Sequence, residues 1–218
     1  MAAQLQLSKQ HRKAVFSIDV TKVSSSLPMR KGTACSTLKR EGSSRSSAFL
    51  VTARNVVEDG VDSLTRVSST RFCRKYPNHE GNHWINQIPQ PWKIDKFCFI
   101  PLETPPKYCL ELVSSNKLRE AQSQLLRSRC DCLSYTFSGN TFKTMRWKLS
   151  EKKNTYVLTE VHPPADFVQS ACRGSPVVSA EDDRLVIGVV DCTLDGDLYL
   201  LFFTESALKD QGKVNCLV

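Results

Sequence analysis

Three short apolar segments near the end of the chain constrain the fold more than any other feature. They are Ser175–Ser179 (SPVVS), Arg184–Cys192 (RLVIGVVDC) and Asp197–Thr204 (DLYLLFFT). Acidic and glycine-bearing turn signals at 181–183 and 195–197 separate them. Runs this short, rich in Val, Ile and Leu and bounded by turns, fit strands rather than helices. Three further β-forming segments precede them: Cys130–Phe137, Phe142–Ser150 and Thr155–Val161.

The first half is sparser. Ala14–Val20 reads as a strand, and Ala48–Thr52 as another that runs into a short helix-like stretch, Ala53–Glu58. The segment SSSLPMRKGTA reads as a loop, and 60–92, with Gly60, Pro77, Gly81, Pro89 and Pro91, as mostly loop. Phe97–Leu102 (FCFIPL) is a strand. Residues 112–128 form the best helix candidate, because Leu118, Ala121 and Leu125 recur at helical spacing behind Ser114 or Ser115 as cap. Glu205–Gln211 reads as a terminal helix, and residues 1–13 as a loose polar tail. Many short strands with one or two helices predict an all-β sandwich or barrel.

Composition narrows the setting. No apolar run approaches the roughly 18 residues of a membrane-spanning helix. The start, MAAQLQLSKQHRK, lacks the apolar stretch of a secretory signal. Nine cysteines, an odd count, leave at least one thiol without a disulfide partner, and several sit inside apolar runs as small hydrophobes. These points predict reduced thiols and an intracellular protein, cytoplasmic or nuclear. The net charge is +8, with basic clusters at Lys9–Lys13, Arg71–Lys75 and Lys143–Lys153. Such charge suits an acidic protein or peptide, anionic lipid or nucleic acid. Nucleic acid is not favoured, because the clusters lack interleaved aromatics, and a solvated basic surface accounts for them most simply.

Three segments, in order, resemble the trypsin-like (chymotrypsin-fold) serine proteases. Ser47-Ala-Phe-Leu-Val-Thr-Ala-Arg-Asn55-Val-Val is similar to the strand that ends in that family's catalytic histidine. Lys93-Ile-Asp95-Lys-Phe-Cys-Phe-Ile-Pro-Leu102 is similar to its aspartate and the apolar strand that follows. Ala171-Cys-Arg173-Gly-Ser-Pro-Val-Val178, followed by Arg184-Leu-Val-Ile-Gly-Val-Val190, resembles its nucleophile loop and the next strand. The resemblance spans roughly residues 14–210. It implies two orthogonally packed antiparallel β-barrels, about 14–110 and 128–204, with a short linking helix and a C-terminal helix near 205–211. Residues 14–218 would form one trypsin-like domain.

Carried over residue by residue, the resemblance implies a degenerate triad. Asn55 stands at the imidazole position, and an amide has no nitrogen that titrates near neutral pH. Arg173 stands at the nucleophile position, and a guanidinium does not attack a carbonyl. Asp95 retains the carboxylate. The oxyanion loop, Ala171, Cys172, Arg173 and Gly174, carries Ala171 where the family prefers glycine. The expectation is therefore an inactive protease homologue, not an enzyme, that binds a peptide or protein or acts as a regulatory module. Asp95, having lost its imidazole, is expected to pair with Arg173 beside Asn55.

Alternatives are an active protease with a displaced nucleophile, Cys172 or Ser170, and a basic module binding nucleic acid or acidic lipid. Ser175 lies close by, and His162 is ten residues before Cys172. His79-Glu-Gly-Asn-His83 matches a zinc-protease pattern literally, but Pro77, Gly81 and two asparagines make it turn chemistry rather than a helix. Cys130-Asp-Cys132 lacks a companion pair of ligands. No metal site and no cofactor are expected.

Overall fold

The computed structural model describes residues 11–21, 28–41, 45–57, 66–68, 92–102, 107–127, 132–138, 141–152, 155–160, 172–179, 182–192 and 197–210. A helical turn at 11–14 leads into β1 (Val15–Thr21), β2 (Pro28–Glu41), β3 (Arg45–Ala53) and the short helix α1 (Arg54–Val57). Then come β4 (Arg66–Ser68), β5 (Trp92–Ile94), β6 (Phe97–Leu102), β7 (Leu110–Leu112) and the helix α2 (Ser115–Arg127). The second half holds β8 (Cys132–Ser138), β9 (Thr141–Lys152), β10 (Thr155–Glu160), β11 (Pro176–Val178), β12 (Leu185–Cys192), β13 (Leu198–Phe202) and the helix α3 (Glu205–Asp210).

The second half closes on itself. The path β11-β8-β9-β10-β13-β12 is completed by pairing of β11 with β12, so six antiparallel strands form a barrel. In the first half the pairing runs β4-β1-β2-β3-β6-β5, also antiparallel. The two halves are joined by β7, which lies parallel to both β2 and β12. An all-antiparallel double barrel was expected, and β7 is the departure from it. Its last residue, Leu112, is the first of the segment expected to be helical, and the helix begins only at Ser115. The carbonyl of Ser114 accepts from the Lys117 and Leu118 amides, which makes Ser114 the N-cap. Leu118, Ala121 and Leu125 are the buried face of α2, as their spacing predicts.

A second departure is β2. Its first residues were expected to be loop, yet they form the start of a 14-residue strand. The strand hides from pattern reading because its buried residues are small or polar: Thr33, Ala34, Cys35, Ser36 and Thr37. They are small because the other barrel approaches closely: the Thr33 amide donates to the Arg173 carbonyl at 2.8 Å. The Thr33 and Thr136 hydroxyls also meet at 3.2 Å.

Two strands carry unbroken runs of buried residues, which explains their apolar character. One is β6, where Phe97, Cys98, Phe99 and Ile100 are all buried. Phe97 and Phe99 pack against Phe203, just beyond β13, at ring separations of 4.8 and 6.3 Å. The other is β12, buried from Val186 to Cys192. The N-terminal turn belongs to this packing as well. Residues 11–13 were expected to be loose, but His11 is 4% exposed and stacks on Tyr135 of β8 at 4.8 Å. Residues 1–10 lie outside the described residues.

Candidate functional site

The C-terminal end of β12 carries the most unusual side chain in the core. Asp191 is 1% exposed, and it follows five buried residues of the same strand. A bare buried carboxylate is costly, so its partners identify what the fold has built around it. Its Oδ2 accepts from the Asn55 amide at 3.0 Å and from the Tyr199 hydroxyl at 2.9 Å. Its Oδ1 accepts from the Cys192 backbone N–H at 2.9 Å and lies 3.6 Å from Nε of Arg173. Burial and the Asp191 charge push the Tyr199 phenol well above its usual range, so it stays a proton donor to the carboxylate. The Arg173 guanidinium also rests on Cys192, with Nε 3.1 Å from Sγ and Nη2 on the same sulfur.

Local backbone places these groups. β3 ends at Ala53, and the Arg54 amide donates to the Lys96 carbonyl at 2.8 Å, which fixes α1 and leaves Asn55 exposed over Asp191. Arg173 is held by the turn that follows it. The Gly174 amide donates to the Val190 carbonyl, and the Ser175 amide to the Cys172 carbonyl at 2.9 Å. Gly174 has φ +80°, and a Cβ there would lie 2.0 Å from Thr52 Oγ1 and 2.2 Å from the Thr33 carbonyl oxygen. Only glycine fits the conformation and the gap together. The loop of the second barrel is thus pressed onto β2 and β3 of the first, and the polar cluster sits at that seam.

Asp95 is not part of it. It occupies the β5–β6 turn with φ 53°, is exposed, and accepts from the Thr204 hydroxyl at 2.6 Å and the Ser206 hydroxyl at 2.9 Å. Those two hydrogen bonds hold its carboxyl below the usual carboxylate range. The expected Asp95–Arg173 pair is corrected accordingly: the carboxylate beside both Asn55 and Arg173 is Asp191. The turn geometry directs Asp95 to the start of α3, where two hydroxyls satisfy it. The sequence signal that would have found Asp191 is burial, since it is the sole acid in the apolar run LVIGVVDC.

The other expected residues divide. Cys172 is 1% exposed, below the Arg173 turn. Ser175 is fully buried, and its hydroxyl has no hydrogen-bond partner among the described residues. Ser170, Ala171, His79, His83, Cys130 and His162 lie outside the described residues. Cys132 is buried on β8. Among the described residues no group of three or more His, Cys, Asp or Glu side chains is placed to hold a metal ion, and no helix is long and apolar enough to cross a membrane.

No family model matches the chain, and no curated protein matches it in sequence. Solved structures do match. Human heparin binding protein aligns over 92% of this chain and 91% of its own, with 13% identity and a TM-score of 0.52. A catalytically active tobacco etch virus protease, complexed with product, aligns over 95% of this chain and 80% of its own, with 11% identity and a TM-score of 0.50. The serine protease of a human pathogenic astrovirus aligns over 89% of this chain and 92% of its own, with 15% identity and a TM-score of 0.47. This likeness overturns the expectation that the chain is not an enzyme. The shared fold is carried by a catalytically active protease. The chain has the trypsin-like fold of the chymotrypsin-fold serine proteases, two β-barrels meeting at the Asn55–Asp191–Arg173 seam.

Proposed function

We propose that the chain engages an extended, acidic polypeptide at the end of β12, with Arg173 and Asn55 as the contact residues and Asp191 as the buried group that positions them. The observation that carries this reading is the cluster itself: an exposed amide and a guanidinium whose side chain is 23% exposed, both anchored on a carboxylate that solvent does not reach. Holding donors in place before a ligand arrives lowers the entropy cost of binding. Strand geometry supports an extended ligand. β11 pairs with β12 only as far as Val189, and the Gly174–Ser175 turn bonds to Val190, so Asp191 and Cys192 run beyond that neighbour. Such a strand end suits addition of a peptide strand.

The preference for acidic ligands rests on the rim. Arg54 lies beside Asn55, and the Lys96 ammonium sits 5.9 Å from the centre of the Tyr199 ring. The Arg54 guanidinium itself donates to the Asp95 carbonyl at 3.2 Å, so the cations nearest the buried acid are Arg173 and, across the Tyr199 ring, Lys96. Neither Asn55 nor Arg173 accepts a proton near neutral pH, so hydrolysis at this site requires a different base.

Fluorescence anisotropy with matched acidic and neutral peptides tests the reading. Acidic peptides bind more tightly, and Arg173→Ala weakens them at least tenfold; equal affinity for both peptide sets would refute it. The same samples, treated with fluorophosphonate and iodoacetamide probes and with Cys172→Ala as control, show whether a displaced serine or cysteine reacts.

A further inference from the structure

Away from that seam, the outer face of the second barrel carries a row of cations. Along β9 the side chains alternate as pleating requires. Met145 and Trp147 are buried, while Thr144, Arg146, Lys148, Ser150 and Lys152 are exposed. Residues two apart on a strand lie about 7 Å apart, so Arg146, Lys148 and Lys152 mark out a line of about 20 Å.

What surrounds the row is as informative as the row. Arg146 lies opposite Leu133 on β8, and Lys148 and Lys152 lie opposite Thr159 and Thr155 on β10. Among the described residues no acid lies directly opposite Lys148 or Lys152 on this face. Glu151, the acid of β9, belongs to the alternate set and pairs with Tyr156. Neither Lys148 nor Lys152 makes an ion pair among the described residues. A groove lined by Leu125 and Leu126 of α2 and by Lys148, Leu149, Ser150 and Glu151 of β9 runs beside the row, and the exposed Arg127 follows at the helix end.

We propose that this face binds a nucleic-acid duplex through its phosphate backbone, without reading base sequence. The composition favours that partner over a protein. Phosphate contacts are made by Lys and Arg together with Ser and Thr hydroxyls, and the face offers Thr144, Ser150, Thr155 and Thr159 between its cations. Protein interfaces instead need buried aromatic or aliphatic anchors and are poor in Lys. A single strand would need rings for its bases to stack on. The rings on this face are Tyr135, opposite Thr144 and buried under His11, and Phe142, half-buried and stacked on Tyr135 at 5.9 Å, beyond the cationic end of the row.

The test is anisotropy of a labelled mixed-sequence duplex across a salt series. Three phosphate contacts give a log–log salt slope of about −2.7. The double variant Lys148→Glu/Lys152→Glu binds at least tenfold more weakly, with a slope near −1, and a shuffled duplex binds like the original. Both lysines are exposed, so the thermal melt of the variant stays close to that of the parent. Should the reversal disturb folding, Lys148→Gln/Lys152→Gln gives a smaller loss in the same direction. Absence of duplex binding at low salt, unchanged binding by either double variant, or binding of a sulfated glycan without duplex binding would overturn the proposal.

Discussion

Two aspartates, Asp191 and Asp95, show how differently one side chain behaves at two places in the same fold. Asp191 is sealed into the end of β12 and compensated from four directions by Asn55, Tyr199, Arg173 and the Cys192 amide. Asp95 lies exposed in a tight turn and accepts from two hydroxyls of the segment leading into α3. In the first, burial makes every partner matter, because each donor removed leaves charge uncompensated. In the second, water replaces whatever is lost. A motif selects Asp95, whereas the energetics select Asp191.

The contrast is easiest to break at its strong end. Asp191→Ala strands the Arg173 guanidinium at the seam and costs about 3–5 kcal/mol in urea unfolding. A cost comparable to that of Asp95→Ala would remove the distinction between the two sites. Gly174→Ala follows, at about 2–4 kcal/mol, since the new Cβ collides with the Thr33 carbonyl while the backbone is held at φ +80°. A melting temperature within a degree of the parent would contradict that packing. Asp95→Ala costs about 0.5 kcal/mol or less, as expected of an exposed polar group.

His11 sharpens the comparison with a third carboxylate of intermediate exposure. Its Nε2 lies 3.6 Å from Asp183, whose side chain is 41% exposed, and the ring stacks on Tyr135. Burial lowers the His11 pKa, opposed by Asp183 and Asp182 and assisted by Arg184. A base with a depressed folded pKa contributes stability that is complete above its unfolded value of about 6.5. That contribution falls away as pH drops below this value, because the unfolded chain takes up the proton first. Urea unfolding between pH 5 and 7.5 should therefore lose stability on the acid side, and His11→Phe, which keeps a ring over Tyr135, should flatten that limb. An unchanged profile would mean that His11 does not titrate with unfolding.

How much of this was legible from sequence follows burial closely. β6 was read at its observed limits because an unbroken FCFIPL run has few other uses, and the buried face of α2 was read from its spacing. β2 was missed at its start because Gly174 and the Arg173 carbonyl press against it, which forces small residues where a strand would otherwise advertise itself with Val or Ile. β7 was missed because three residues between two barrels carry no period. At the site, Asn55 and Arg173 were found by motif position. Their carboxylate was not, since motif matching assigns a partner by order in the chain, and Asp191 is recognised only by where it is buried.

The most direct test of the account is the affinity of one acidic peptide for three proteins side by side: the parent, Arg173→Ala and Asp95→Ala. The account predicts at least a tenfold loss for Arg173→Ala and parental affinity for Asp95→Ala. Equal losses in both variants, or a loss confined to Asp95→Ala, would contradict a site centred on Asp191.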